Sequence, residues 1–136
     1  MEKDPGSVAL VFTRVRAVVG LALLVAPGAS GRAWLGSGAG SAAARAVTRM
    51  LGSRDVVLGI GSLSAIKEGR HGPEWLGMAA IADGVDAAVC LFAPKLGWRA
   101  RVVGVVAAMS AGFGLKLARD LADRRDAEAA AAAAVT

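Results

Sequence analysis

The sequence predicts an all-α membrane protein: an antiparallel four-transmembrane-helix bundle with a helical C-terminal extension. Three observations lead there. Of 136 residues, 55% are hydrophobic and the mean hydropathy is +0.53. Charges are sparse across four long windows and gather at the window edges, as in helices solvated by lipid. Glycine is abundant, at 18 residues, while aromatics make up only 4%, a composition suited to helices whose backbones approach closely. The length is that of one domain, divided here into a transmembrane part, 1–118, and a tail, 119–136.

The first window, 8–26, stops at Pro27-Gly28, which break a helix. Arg14 and Arg16, the apolar run after them and Gly28-Ala29-Ser30 also fit a secretory signal peptide; the segment is taken as a retained helix. Residues 31–41, GRAWLGSGAGS, hold four glycines and two serines and predict a loop without regular structure. Ser41 is an N-cap for the second helix, 42–67, whose bilayer portion is 47–66. KEGRHGP is a polar turn. The third helix, 74–93, ends before Pro94, and the fourth runs over 98–117. Beyond it, ARDLADRRDAE and an alanine run form a solvated, fraying helical extension. Trp34, Trp75 and Trp98 fall where interfacial anchors belong. Arg16, Arg54 and Arg101 each open a Val-Val-Gly-like stretch, a faint internal echo.

A formal charge of +5 and a pI near 10.4 raise nucleic acid as a partner, but no basic stripe interleaved with stacking aromatics is present. Arginines and lysines snorkelling at membrane interfaces account for the excess. The expected partner is the lipid bilayer, and the expected location is the cell inner membrane, crossed several times. Seven Lys and Arg fall on the side of the termini (Lys3, Lys67, Arg70, Lys116, Arg119, Arg124, Arg125) and six on the other; the compact basic tail places both termini in the cytoplasm. Cys90 and His71 are each the single residue of their type, so no intrachain disulfide, CxxC pair or zinc site is expected, and no metal or cofactor.

The informative feature is charge inside the apolar windows: Arg14 and Arg16 in the first, Arg54 and Asp55 in the second, Asp83 and Asp86 in the third. An unpaired charge at the bilayer centre costs about 3 kcal/mol on insertion scales, so such residues face the bundle interior and pair. Three positive and three negative charges predict pairing across helices. At about 1.5 Å of rise per residue, Arg16 and Asp83 lie about 12 Å in from one side and Asp55 about 12 Å in from the other, in a core about 30 Å thick. Asp83 and Asp86 are about 60° apart on their helix, on a side continued by Ala79, Ala82, Ala87 and Cys90. Asp55, Gly59 and Ser62 share a stripe on the second helix, and Gly104, Ala108, Ala111 and Gly112 on the fourth, the small-residue pattern of packed membrane helices.

The stretch GSRDVVLG, 52–59, followed by an aspartate in the third window, resembles an uncharacterised family of small four-helix bacterial membrane proteins. In that family the second helix opens with an Arg-Asp pair and a glycine one turn on, and the third carries an acidic residue; Arg54, Asp55, Gly59 and Asp83 match. The resemblance spans 8–117 and implies the four-helix architecture without implying an activity. Arg14 and Asp86 are not among the residues that carry it.

Two kinds of function fit these charges, beside a purely structural salt-bridge network. In the first, Asp55, Asp83 and Asp86 with Arg16, Arg54 and Arg14 bind a lipophilic or protonatable small molecule, coupled to a proton; transport by so short a chain requires a homodimer. In the second, Asp/Arg/Asp act as acid and base on a lipophilic substrate, through epoxide opening, isomerisation or isoprenoid cyclisation, because one environment can split two carboxyl groups into acid and base. The scarcity of aromatics speaks against a long-lived carbocation. A third class, an accessory subunit of a larger membrane complex, needs only the small-residue stripes and the tail.

Overall fold

The structure is a computed structural model that describes residues 4–134, with the Trp34 side chain outside that description; Lys3, counted above toward orientation, also lies outside the described residues. Five α-helices follow one another: α1 Pro5–Val25, α2 Pro27–Leu35, α3 Ala42–Lys67, α4 Gly72–Phe92 and α5 Trp98–Ala133, with a 3-10 segment, Gly36–Gly40, between α2 and α3. The described residues contain no strand.

Local chemistry explains the boundaries. Asp4 caps α1 by accepting from the Ser7 N–H at 2.9 Å, with Pro5 in the first turn. Ser41 caps α3 in the same way, accepting from the Ala44 N–H at 3.0 Å. The chain expected to be an irregular loop after Pro27 is instead α2 and the 3-10 segment. Pro27 sits in the first turn of α2, where its missing N–H costs nothing and its fixed φ starts a helix. Gly31 lets that helix lie on its neighbours, since a Cβ there would stand 3.2 Å from Thr48 Oγ1 and 3.3 Å from Ala39 Cβ. Gly36, at φ +62°, ends it. Of the glycines that composition assigns to a loop, Gly31 thus serves close packing and Gly36 a helix end.

The fourth predicted helix and most of the tail are one continuous 36-residue helix, α5. No glycine or proline follows Gly114, alanine is the best helix former, and ion pairs tie Arg124 to Asp4 and Arg125 to Glu74. At about 54 Å it outreaches an apolar core of about 30 Å.

The long helices run alternately up and down. α1 packs along α3 and α4 along α5, and the two pairs meet through smaller α3–α4 and α1–α5 contacts. Glycines set the first pair: a Cβ on Gly52 would lie 2.5 Å from the Leu24 backbone nitrogen and 2.6 Å from the Gly20 oxygen, and one on Gly59 would lie 2.8 Å from the Ala17 nitrogen. In the second pair, Gly104 faces Cys90 and Leu91. Of the stripe expected on the last helix, Ala108 and Gly112 are exposed instead. The inward stripe of α5 is Ala100, Gly104, Gly114, Leu117 and Ala118, the register in which α5 meets α4. Trp75, expected as an anchor, lays its ring over Gly61 of α3.

Small and polar residues fill the interior, among them Ala9, Thr13, Thr48, Ser62, Ala79 and Asp83, while Val15, Val18, Val57, Ile60, Ile81, Val85, Val105 and Met109 stand exposed. A water-soluble helical protein shows the reverse arrangement; this one suits solvation by lipid. Three helices, α1, α4 and α5, are long and apolar enough to cross a membrane. α3 is long enough but carries Arg45, Arg49, Arg54, Asp55 and Lys67.

Candidate functional site

α1, α3 and α4 each carry part of their polar residues on an inward stripe. On α1 the buried positions are Ala9, Thr13, Arg16 and Gly20, a spacing of three and four residues. α3 contributes Thr48, Gly52, Gly59 and Ser62, with Asp55 in register between them. α4 contributes Leu76, Ala79, Asp83, Ala87 and Cys90. The charges therefore meet in the seam between the α1–α3 pair, which supplies Arg16, Arg54 and Asp55, and the α4–α5 pair, which supplies Asp83 and Asp86.

Two forked ion pairs cross this seam. Arg16 donates through both terminal nitrogens to Asp83, Nη1 to Oδ1 at 2.9 Å and Nη2 to Oδ2. Arg54 grips Asp86 likewise, Nη1 to Oδ1 at 2.9 Å and Nη2 to Oδ2 at 2.6 Å. Such two-point contacts are the strongest form of the interaction. Asp55 lies between them: its Oδ1 accepts from Arg54 Nη2 at 3.1 Å and from Arg16 Nη1 at 3.4 Å. Its Oδ2 accepts no hydrogen bond among the described residues. The pairs differ in depth, with side chains 7% and 8% exposed for Arg16 and Asp83 against 32% and 28% for Arg54 and Asp86; Asp55 is intermediate at 15%.

Sequence reasoning overlooked two further members. Ser110 of α5 donates to Asp83 Oδ2 at 2.6 Å and accepts from Arg16 Nη2 at 3.4 Å. It is the only hydroxyl or charged side chain between 102 and 115, and that isolation was the available signal. Phe12 places its ring 5.7 Å from the Arg16 guanidinium carbon and meets Phe113 edge-on at 5.3 Å, a cation–π contact that holds the guanidinium from the side.

The expected balance of three positive and three negative charges does not survive. Arg14 is exposed and makes no hydrogen bond or ion pair among the described residues. Two positions from Arg16 it points about 200° away around the helix, so it faces outward, away from the cluster. The cluster is three carboxylates against two guanidiniums.

Two cavities lie elsewhere. One of about 720 Å3 is lined by residues of α2, the 3-10 segment, the turn before α5 and the first residues of α5; one of about 130 Å3 lies between Gly28 and Arg45. Neither includes a residue of the cluster. Among the described residues no group of three or more His, Cys, Asp or Glu is placed to hold a metal ion. Comparison with protein-family models, curated proteins and solved structures finds no match to this chain.

Proposed function

We propose that the protein crosses the cell inner membrane with all four long helices, and that the Arg–Asp cluster is a proton-holding site coupled to binding of a lipophilic or protonatable small molecule. The single observation behind it is the unequal pairing: Asp83 and Asp86 each have both oxygens gripped by an arginine, while Asp55 keeps one oxygen free. Three carboxylates against two guanidiniums leave one negative charge in excess, which a low-dielectric interior does not hold unpaired. A proton on Asp55 Oδ2 removes it. A cation arriving in the seam replaces that proton, and parting of the two helix pairs exposes the site. As a fourth span, α3 turns Arg54 and Asp55 into the seam and presents Val47, Met50, Val57 and Ile60 outward.

The test is infrared difference spectroscopy of the full chain in liposomes as pH is changed. The carbonyl stretch of a protonated carboxylic acid is expected in the wild type and absent in Asp55→Asn. Persistence of the band in that variant refutes the assignment. Arg16 Nη1 donates to both Asp83 and Asp55, and that bridge supports a second reading, acid–base catalysis on a lipophilic substrate, with protonated Asp55 as acid and Asp83 as the ionised partner. Turnover of a lipophilic epoxide by the wild type and not by Asp55→Asn distinguishes it from binding alone.

A further inference from the structure

The two ends of the molecule differ in a way the cluster does not use. Residues 17–53 and 87–115 hold Arg32, Arg45, Arg49, Lys95, Arg99 and Arg101 and no Asp or Glu, whereas at the opposite end seven Lys and Arg meet eight Asp and Glu. With the interior charges and Arg14 balanced, the α2 end carries +6 and the opposite end −1, which together make the chain's formal +5. None of the six cations there has an acidic partner among the described residues. Arg101 is committed to the carbonyls of Cys90 and Ala93, both at 3.1 Å, which closes the end of α4. Arg45 donates to the Gly40 carbonyl at 2.7 Å.

Three of the remaining charges share one concavity. Arg32, Lys95 and Arg99 line the cavity of about 720 Å3, with Leu35, Leu96 and Trp98 as its apolar wall and glycines 36, 38 and 97 as its floor. The arrangement is built by the backbone: Arg99 Nη1 donates to the Arg32 carbonyl at 3.1 Å, tying α5 to the end of α2, and Lys95 is held at φ +69° in the turn before α5. The Arg99 guanidinium stands 5.7 Å from the Trp98 ring, an exposed indole of the kind that settles at a membrane interface. A cavity of this size accommodates a small polar molecule, and three cations without a carboxylate select an anion with several acceptor oxygens.

We propose that this cavity binds the phosphate of an anionic phospholipid. Arg32 and Arg99 take the phosphate oxygens, Lys95 closes over them, and Trp98, Leu35 and Leu96 contact the glycerol and the first acyl carbons. The shared chemistry is a phosphate group; the apolar wall and the interfacial tryptophan favour a lipid headgroup over a free phosphate.

The test is native mass spectrometry of the full chain released from detergent micelles, with phosphatidylglycerol, phosphatidylcholine or inorganic phosphate added. Phosphatidylglycerol adducts are expected to exceed those of phosphatidylcholine. They should fall about fivefold in Arg32→Gln or Lys95→Gln and about 25-fold in the double variant Arg32→Gln/Arg99→Gln, at the usual contribution of one basic side chain near an anionic lipid. These side chains are exposed, and circular dichroism checks that each variant keeps its helices. Lys67→Gln and Arg70→Gln, at the other end, should change binding less than twofold. Equal binding of the two lipids, or an equal loss in the Lys67 and Arg70 variants, would overturn the site. Displacement of the lipid by inorganic phosphate at matching concentration would overturn the lipid as its occupant.

Discussion

Substituting the three aspartates one at a time by asparagine separates the members of the cluster that hold the fold from the one that does not. Asp83→Asn leaves Arg16, 7% exposed, without its two-point partner, and it sets an amide N–H against either Arg16 or Ser110, both of which donate to Asp83. Breaking a buried pair costs about 3–5 kcal/mol. Asp55, 3.4 Å from Arg16, takes over part of the charge, which places the loss near the lower end, about 3 kcal/mol, or roughly a hundredfold in the unfolding equilibrium. Asp55→Asn differs in kind. Its amide oxygen still accepts from both arginines, both forked pairs remain, and the excess charge is gone, so stability changes by less than about 1 kcal/mol. Unfolding of the purified protein in mixed micelles by increasing SDS, followed by circular dichroism, measures both. The infrared band adds a second readout. Asp83→Asn makes the cluster two against two, Asp55 ionises, and the band disappears, so both variants lose the proton while only one loses stability. Equal destabilisation by Asp55→Asn and Asp83→Asn would refute the charge count.

The same unfolding assay checks three other sites. Arg14→Leu should change stability by less than about 0.5 kcal/mol, whereas Arg16→Leu, which strands Asp83, should cost about 3 kcal/mol or more. Gly52→Ala drives a methyl into the backbone of α1 and should cost about 1–3 kcal/mol, while Gly77→Ala, with nothing within 4 Å, should be neutral or slightly stabilising. Ser110→Ala removes a hydrogen bond to an ionised carboxylate and should cost about 1.5–3 kcal/mol. The N-terminus supplies a pH test: the Ser7 backbone N–H and hydroxyl, together with Arg124, hold the Asp4 carboxyl below its usual value. A lowered value in the fold means that the cap contributes above the unfolded pKa of about 3.9 and is lost as pH falls through the folded one. Hydrogen exchange at the Ser7 amide should therefore accelerate below about pH 4, beyond the intrinsic trend, and should lose that step in Asp4→Ala.

The helical class and the inward placement of Arg16, Asp55 and Asp83 were legible because helical spacing and the cost of charge in lipid both act locally along the chain. α2 was not, because its glycines disfavour a helix by intrinsic preference, and the contacts of Gly31 with Thr48 and Ala39 are ones that only the folded chain defines. The role of Arg14 was misjudged by counting charges without their faces: two residues along a helix is nearly opposite, and the wheel angle applied to Asp83 and Asp86 would have separated Arg14 from Arg16. Ser110 was passed over because a lone serine in an apolar helix is neutral in hydropathy. Its importance appears only when the depths of Asp83 and Ser110 are compared on antiparallel helices. The inward face of α5 was misassigned because its small residues occur on several sides, so composition left the register open and contact with Cys90 and Leu91 decides it.

On the proposed four-span reading, the charges that keep α3 from qualifying as a span by its own composition are what hold it in place. Arg54 and Asp55 alone would each cost about 3 kcal/mol at the centre of a membrane, enough to oppose insertion of an isolated helix. Paired with Asp86 and Arg16 they are turned largely into the seam, with Arg54 32% and Asp55 15% exposed, and the outward residues Val47, Met50, Val57 and Ile60 are most of what the bilayer meets. The placement of α3 therefore depends on α1 and α4 being present, and the α1–α3 and α4–α5 pairs are joined by the same bonds that surround the proton. Of the five charged residues, Arg16, Arg54, Asp83 and Asp86 are needed for that joining. Asp55 is not, since both forked pairs close without it. A carboxylate that the architecture can do without, kept at the one position touching both arginines, is the member of the cluster whose presence a purely structural network leaves unexplained.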